Sequence, residues 1–207
     1  MARPTPCWRI SNAWPQASIP DRVNPVPAPP PAYPIAPLAC PLWRMLPLRW
    51  QYKPFSGEGA RRYGGRWNAR GTPALYLATD HASAVAEFYQ GLAKPGTLAP
   101  YSLDASHIAD LADGRGGPAD AMVEHGLVAS WKAMAARGDR TPPSWEIAAA
   151  LIAAGAQGAL VPSAQNRGGT NLVLWHWYDA AAGKKDGEGA ALTLLDPEGA
   201  LRPNDRI

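Results

Sequence analysis

The stretch Ser56-Gly-Glu-Gly-Ala-Arg-Arg-Tyr-Gly-Gly-Arg-Trp-Asn-Ala-Arg-Gly71 interleaves four arginines with glycines. Glycine lets a backbone approach a ligand closely, and the guanidinium offers a planar fork of donors that matches phosphate oxygens. The segment lacks the Gly-Lys-Ser/Thr ending of a P-loop, and Arg62 stands where a dinucleotide fingerprint needs a third glycine after Gly57 and Gly59. On spacing alone it reads equally well as a basic surface loop with turn glycines. Tyr76 and Glu87 follow, eleven positions apart. A tyrosine on a strand is commonly core and a glutamate on a helix is commonly solvated, so neither marks a site by itself. With the arginine loop they form a coherent set: a ring that can stack on a base, a fixed carboxylate and a guanidinium for phosphate. Opening an N-glycosidic bond builds positive charge on the sugar, so a fixed carboxylate stabilises the transition state more than the ground state.

These side chains need elements to carry them. Ala74 to Thr79 reads as a strand bearing Tyr76, and Thr79 or Asp80 can cap a helix to about Gln90, with Val85, Phe88, Tyr89 and Leu92 near helical spacing and Gly91 as its stop. Glu87 is thus placed on a helix directly after the Tyr76 strand. Upstream, Trp43 to Trp50 reads as a short interrupted strand. Downstream come a strand near Leu98 to Leu103 and a helical region from about Ala119 to Arg137, broken at Gly126 and ended by Gly138. Ser144 then caps a helix that ends at Gly155, strands follow at Gly158 to Pro162 and Asn171 to Trp177, and a short one includes Leu192 to Leu195. The order is mixed α+β.

Thirteen of the 23 prolines lie in the first 47 residues, where proline fixes φ and withholds a backbone donor. Residues 1–41 are accordingly read as a proline-rich extension and 42–207 as the catalytic domain. The formal net charge of +3 is unevenly spread: from Arg44 to Arg70 seven cations face only Glu58, a local balance of +6, so the remainder sums to −3. Such a segment suits phosphate or carboxylate. It also admits a nucleic-acid-binding protein or nuclease built on the arginine loop, but the rest of the chain is acidic and carries no nucleic-acid-binding motif. A non-catalytic binding module is the third class considered. Cys7 and Cys40 have no metal-ligand or redox spacing, and His81, His107, His125 and His176 lack ligand spacing, so no metal is expected. Trp131, Trp145, Trp175 and Trp177 read as core or interface rather than stacking platforms. The start of the chain has no apolar secretory run, and the uncharged stretch Ile147 to Asn166 is half Ala and Gly, so a cytoplasmic protein with no membrane partner is the expectation.

The series Gly57-Glu-Gly-Ala-Arg-Arg-Tyr-Gly-Gly-Arg-Trp-Asn68, Gly71-Thr-Pro-Ala-Leu-Tyr-Leu-Ala78 and Ala86-Glu87 resembles the core of the RES domain family. Pro142-Pro-Ser-Trp-Glu146, Gly158-Ala-Leu-Val-Pro-Ser163 and Asn171-Leu-Val-Leu-Trp-His-Trp177 resemble its second half, so the likeness spans about Leu42 to Asp196. The resemblance implies an ADP-ribosyltransferase-like mixed fold, a central split or twisted sheet flanked by helices, in a toxin of a bacterial toxin–antitoxin pair that consumes NAD. It assigns the family's Arg, Glu and Ser to Arg66, Glu87 and Ser163, with Tyr76 as the aromatic member. Arg66 would hold the pyrophosphate or the ribose-side phosphate, Tyr76 would pack on nicotinamide, Glu87 would orient the ribose and stabilise the oxocarbenium ion, and Ser163 would hydrogen-bond the nucleotide. Arg44 matches an early family arginine and is a second phosphate candidate. The implied partners are NAD as substrate, an Xre-type antitoxin, a protein target of ADP-ribosylation where water or phosphate is not the acceptor, and a second copy of the chain within a toxin–antitoxin assembly.

Overall fold

A computed structural model describes residues 33–183 and 189–201. Its strands are β1 (Ile35–Pro47), β2 (Leu75–Ala78), β3 (Gly96–Asp110), β4 (Gly158–Pro162), β5 (Thr170–Leu174), β6 (Trp177–Asp179) and β7 (Ala190–Leu194). The helices are α1 (Glu58–Tyr63), α2 (His81–Tyr89), α3 (Ala121–Val128), α4 (Trp131–Arg137) and α5 (Pro143–Ala153). Together they make the mixed α+β fold that the order of elements predicts.

The sheet is not split. Its order is β1-β2-β5-β4-β3, and β3 pairs back onto β1, so five strands close into a small ring with β7 and then β6 outside β3. The closure rests on the length of β3, which runs fifteen residues where the sequence pattern marks only the apolar stretch near Leu98 to Leu103. One part of it pairs with β7 while its end, Ile108 to Asp110, runs parallel to β4. The alternating apolar residues fill the ring: Leu42, Leu46, Leu75, Leu77, Tyr101, Leu103, Leu172 and Leu174 form one core, the two-residue period of a strand putting them on one face. Residues on the other face, among them Val161, Val173 and Trp175, form a second core with Val123 of α3 and Ile147 and Leu151 of α5.

β1 begins at Ile35, inside the stretch assigned to the extension, and carries Pro37, Pro41 and Pro47. A strand tolerates proline where the missing N–H would face no ladder. Pro41 and Pro47 lie an even number of residues apart, so their nitrogens share one edge, and that edge meets β2 only at Trp43 opposite Ala78. Pro37 falls at a register shift between Ala36 and Leu38. β1 and β2 share that single register pair, and residues of both strands around it line the site.

Several boundaries move for local reasons. Glu58–Tyr63 is helical despite Gly59, with the Glu58–Arg61 ion pair at 2.7 Å along its first turn. The break in the 119–137 region falls at Ala129-Ser130 and not at Gly126, which stays inside α3 because a Cβ there would sit 3.2 Å from that of Ser144 on α5. Ser144 is buried within α5 and Pro142 takes the cap position. The predicted strand Asn171 to Trp177 is two, β5 and β6.

Candidate active site

α2 owes its start to Asp80, whose Oδ1 accepts from the Ser83 N–H at 2.7 Å and whose Oδ2 accepts from Ser83 Oγ at 2.6 Å. Burial pushes the Asp80 carboxyl up, but the hydrogen bonds from Ser83 and Ala82 and the nearby His81 outweigh it, and the net shift is below the usual carboxylate range. Asp80→Ala is expected to cost about 0.5–2 kcal/mol in chemical denaturation. Because the folded pKa is depressed, this stabilisation is present above the unfolded-state pKa and is lost as pH falls through the folded one. The gap between wild type and variant should therefore close in acid below the ordinary aspartate range. A gap that stays constant into that range would show that the charge contributes nothing.

Ser83 and Glu87 stand four residues apart and share a face of α2. Both grip the loop between β4 and β5. Asn166 Nδ2 donates to Ser83 Oγ at 2.8 Å, and Glu87 Oε1 accepts from Ser163 Oγ at 2.7 Å, the Ala164 N–H at 2.9 Å and Asn171 Nδ2 at 2.8 Å. Three donors thus converge on one carboxylate oxygen, while Oε2 has no partner among the described residues. Ser163 Oγ also accepts from the N–H groups of Gln165 at 3.3 Å and Asn166 at 3.0 Å. A hydroxyl has one proton and two lone pairs, so Ser163 has nothing left for a nucleotide in this arrangement. It fixes Glu87 and closes the loop instead.

Tyr76 is equally committed. Its hydroxyl accepts from the Trp67 N–H at 3.0 Å and donates to Asn68 Oδ1 at 2.8 Å. Burial holds the phenol well above its ordinary pKa, so it stays protonated. Trp145 Nε1 donates to the Gly65 carbonyl at 2.8 Å and Trp175 Nε1 to that of Trp67 at 2.9 Å. The backbone on both sides of Arg66 is therefore pinned, and Gly65 is obligatory because a Cβ there would overlap the Tyr76 hydroxyl and the Asn68 amide. The tryptophans read as core residues are the pins.

Arg66 Nη1 donates to the carbonyls of Gly126 at 3.3 Å and Ala129 at 3.1 Å, at the end of α3, and its other donors have no partner among the described residues. Burial lowers its pKa, and the charge of Glu87 opposes that; an arginine stays cationic regardless. Arg44 lies on β1, with Nη1 on the Pro54 carbonyl at 2.9 Å and Nη2 on that of Ser56 at 3.3 Å, where it seats the loop leading into α1.

Arg44, Arg66, Tyr76 and Glu87 all line one cleft of about 910 Å³, near the top of the usual range of roughly 300–1,000 Å³ for ligand sites. Asn171 lines it too, and Ser163 stands behind Glu87. Of the seven cations between Arg44 and Arg70 only Arg44 and Arg66 reach the cleft. Two more come from elsewhere, Lys94 after α2 and Lys132 on α4, so four cationic residues line the cleft together with the single carboxylate of Glu87. Nothing in the sequence marks those lysines. Asn171 was in view as the first residue of a recognisable motif, but its contact with Glu87 depends on the pairing of β2 with β5. Among the described residues no group of His, Cys, Asp or Glu could hold a metal ion, and no helix is long and apolar enough to cross a membrane.

The profile of the RES domain matches residues 41–194. The Toxin Res of Yersinia enterocolitica is 35% identical over 69 residues, 33% of this chain and 45% of that protein. The Toxin Res of Photorhabdus laumondii is 44% identical over 46 residues, 22% of this chain and 30% of that protein. The chain thus aligns with less than half the length of either curated relative. The crystal structure of the M. tuberculosis MbcT–MbcA toxin–antitoxin complex aligns at a TM-score of 0.49 and 22% identity, covering 78% of this chain and 84% of that one.

Proposed function

The chain belongs to the RES domain family, and from that premise we propose that its cleft binds NAD and breaks the bond between nicotinamide and ribose, in an ADP-ribosyltransferase-like site. The observation that carries the reading is the carboxylate of Glu87: one oxygen is held by three donors, the other is unpaired, and the cleft around it is lined by four cations. A preset carboxylate needs no reorganisation as positive charge develops on the ribose. The C1′–N bond breaks with its electron pair going to the nicotinamide nitrogen, which leaves neutral, and the oxocarbenium ion is captured by an acceptor. The Tyr76 ring packs on the nicotinamide. Arg66, helped by Lys94 and Lys132, holds the two negative charges of the pyrophosphate, while Arg44 seats the loop before α1. Ser163 positions Glu87.

The family premise extends the proposal to a toxin silenced by a cognate Xre-type antitoxin, whose acidic or terminal segment competes for the same cations. The acceptor of ADP-ribose is water, phosphate or a side chain of a target protein. Incubating the pure protein with NAD, with and without cell lysate, and following free nicotinamide, ADP-ribose and protein adducts by chromatography tests both parts. Nicotinamide release in buffer is expected for water or phosphate as acceptor, and release only with lysate for a protein target. Intact NAD under both conditions would remove the reaction.

A further inference from the structure

Asn171 opens β5 beside Tyr76 and Glu87, since β5 pairs with β2 along Leu75 to Ala78. Its amide orientation is fixed by chemistry. Glu87 Oε1 can only accept, so the group 2.8 Å from it is the NH₂ of Asn171, and the carbonyl Oδ1 points the other way. That Oδ1 is shielded from solvent and accepts no hydrogen bond, although the residue is only partly buried and lines the cleft. A buried acceptor without a donor is costly and calls for a reason. The terminal torsion of an asparagine is broad, so the amide can turn to present Oδ1 to a ligand.

We infer that Asn171 Oδ1 is a substrate-binding acceptor that takes a hydrogen bond from one hydroxyl of the nicotinamide-side ribose, while Glu87 Oε2 takes the other. This rests on the reading of the cleft as an NAD-cleaving site. One hydrogen bond joins the amide to the carboxylate and both residues line the cleft, so turning the amide brings the unpaired oxygen of Asn171 toward the unpaired oxygen of Glu87. Two neighbouring acceptors without donors match a vicinal diol, which offers two O–H donors on adjacent carbons. The residue would thereby select ribosyl over deoxyribosyl substrates as well as hold the carboxylate.

The test measures kcat/KM for nicotinamide release from NAD and from two analogues, each lacking one hydroxyl of the nicotinamide-side ribose, with wild type, Asn171→Ala and Asn171→Thr, the last suited to a strand. Wild type should be slower on both analogues by about ten- to hundredfold. The Asn171 variants should lose that much on NAD in excess of their loss on one particular analogue, the one missing the hydroxyl that Oδ1 accepts. Equal losses on all three substrates would mean that Asn171 acts only by holding Glu87, and would overturn the inference. So would a wild type that cleaves either analogue as fast as NAD, a result that stands even if neither variant folds. A wild type that releases no nicotinamide from NAD removes the underlying reading instead, and the two failures are thus told apart.

Discussion

Glu87→Gln is expected to lower nicotinamide release by about 10²–10³-fold or more, the usual scale for removing a preset group that meets transition-state charge, with little change in thermal unfolding. The amide is the discriminating replacement because of how the carboxylate is held. Ser163 Oγ, the Ala164 N–H and Asn171 Nδ2 all donate to Oε1, and a glutamine can present its own carbonyl oxygen to the same three donors. What disappears is the charge and the acceptor at Oε2. Glu87→Ala would instead strand three donors and free the loop between β4 and β5 from α2, so a lost activity there mixes chemistry with disorder. Circular dichroism and thermal denaturation beside the assay separate the two. A folded glutamine variant with full turnover would take Glu87 out of the mechanism.

The part of this arrangement that a reader of the sequence could see is the part written locally. Leu75 to Ala78 alternates, Asp80 is a helix cap with Ser83 in place to use it, and Glu87 follows within the same helix, so strand, turn and carboxylate were all visible in order. Even the stop is local, although Gln90 at φ 46° takes the left-handed position before Gly91 does. Contacts that depend on distant segments were invisible. The ring closes through β1 and β3, whose pairing runs from Ile35 opposite Ala109 to Pro47 opposite Gly96, and no short-range pattern encodes that. For the same reason Ser163 could be picked out as a family residue but not as the partner of Glu87, 76 positions away. The arginine segment misled in the other direction. Composition gave it a +6 charge, yet charge along a chain does not say which side chains share a surface, and most of those cations are not among the residues lining the cleft while Lys94 and Lys132 are.

Arg66→Ala is expected to raise KM for NAD by about ten- to hundredfold, as for loss of a hydrogen-bonded charge worth roughly 1.5–3 kcal/mol, with a smaller fall in kcat. The pyrophosphate is charged in the ground state as well as in the transition state, so its binding group contributes to both. The structure adds a second consequence. Arg66 Nη1 bridges the carbonyls of Gly126 and Ala129, and the residues that follow, Ser130 to Ala133, line the cleft. The same guanidinium therefore holds one wall of the site and lines the cleft, and on the proposed function it would also meet the pyrophosphate, which a planar fork of several donors allows. Arg66→Lys keeps the charge but has one nitrogen for both tasks, so it should recover little of the KM. In both variants the α3–α4 junction should be cut faster by a protease in the absence of NAD. Rescue by lysine would reduce Arg66 to a point charge. An unchanged KM with a lost kcat would move its action from binding to the transition state, close to Glu87, whose charge already acts on it.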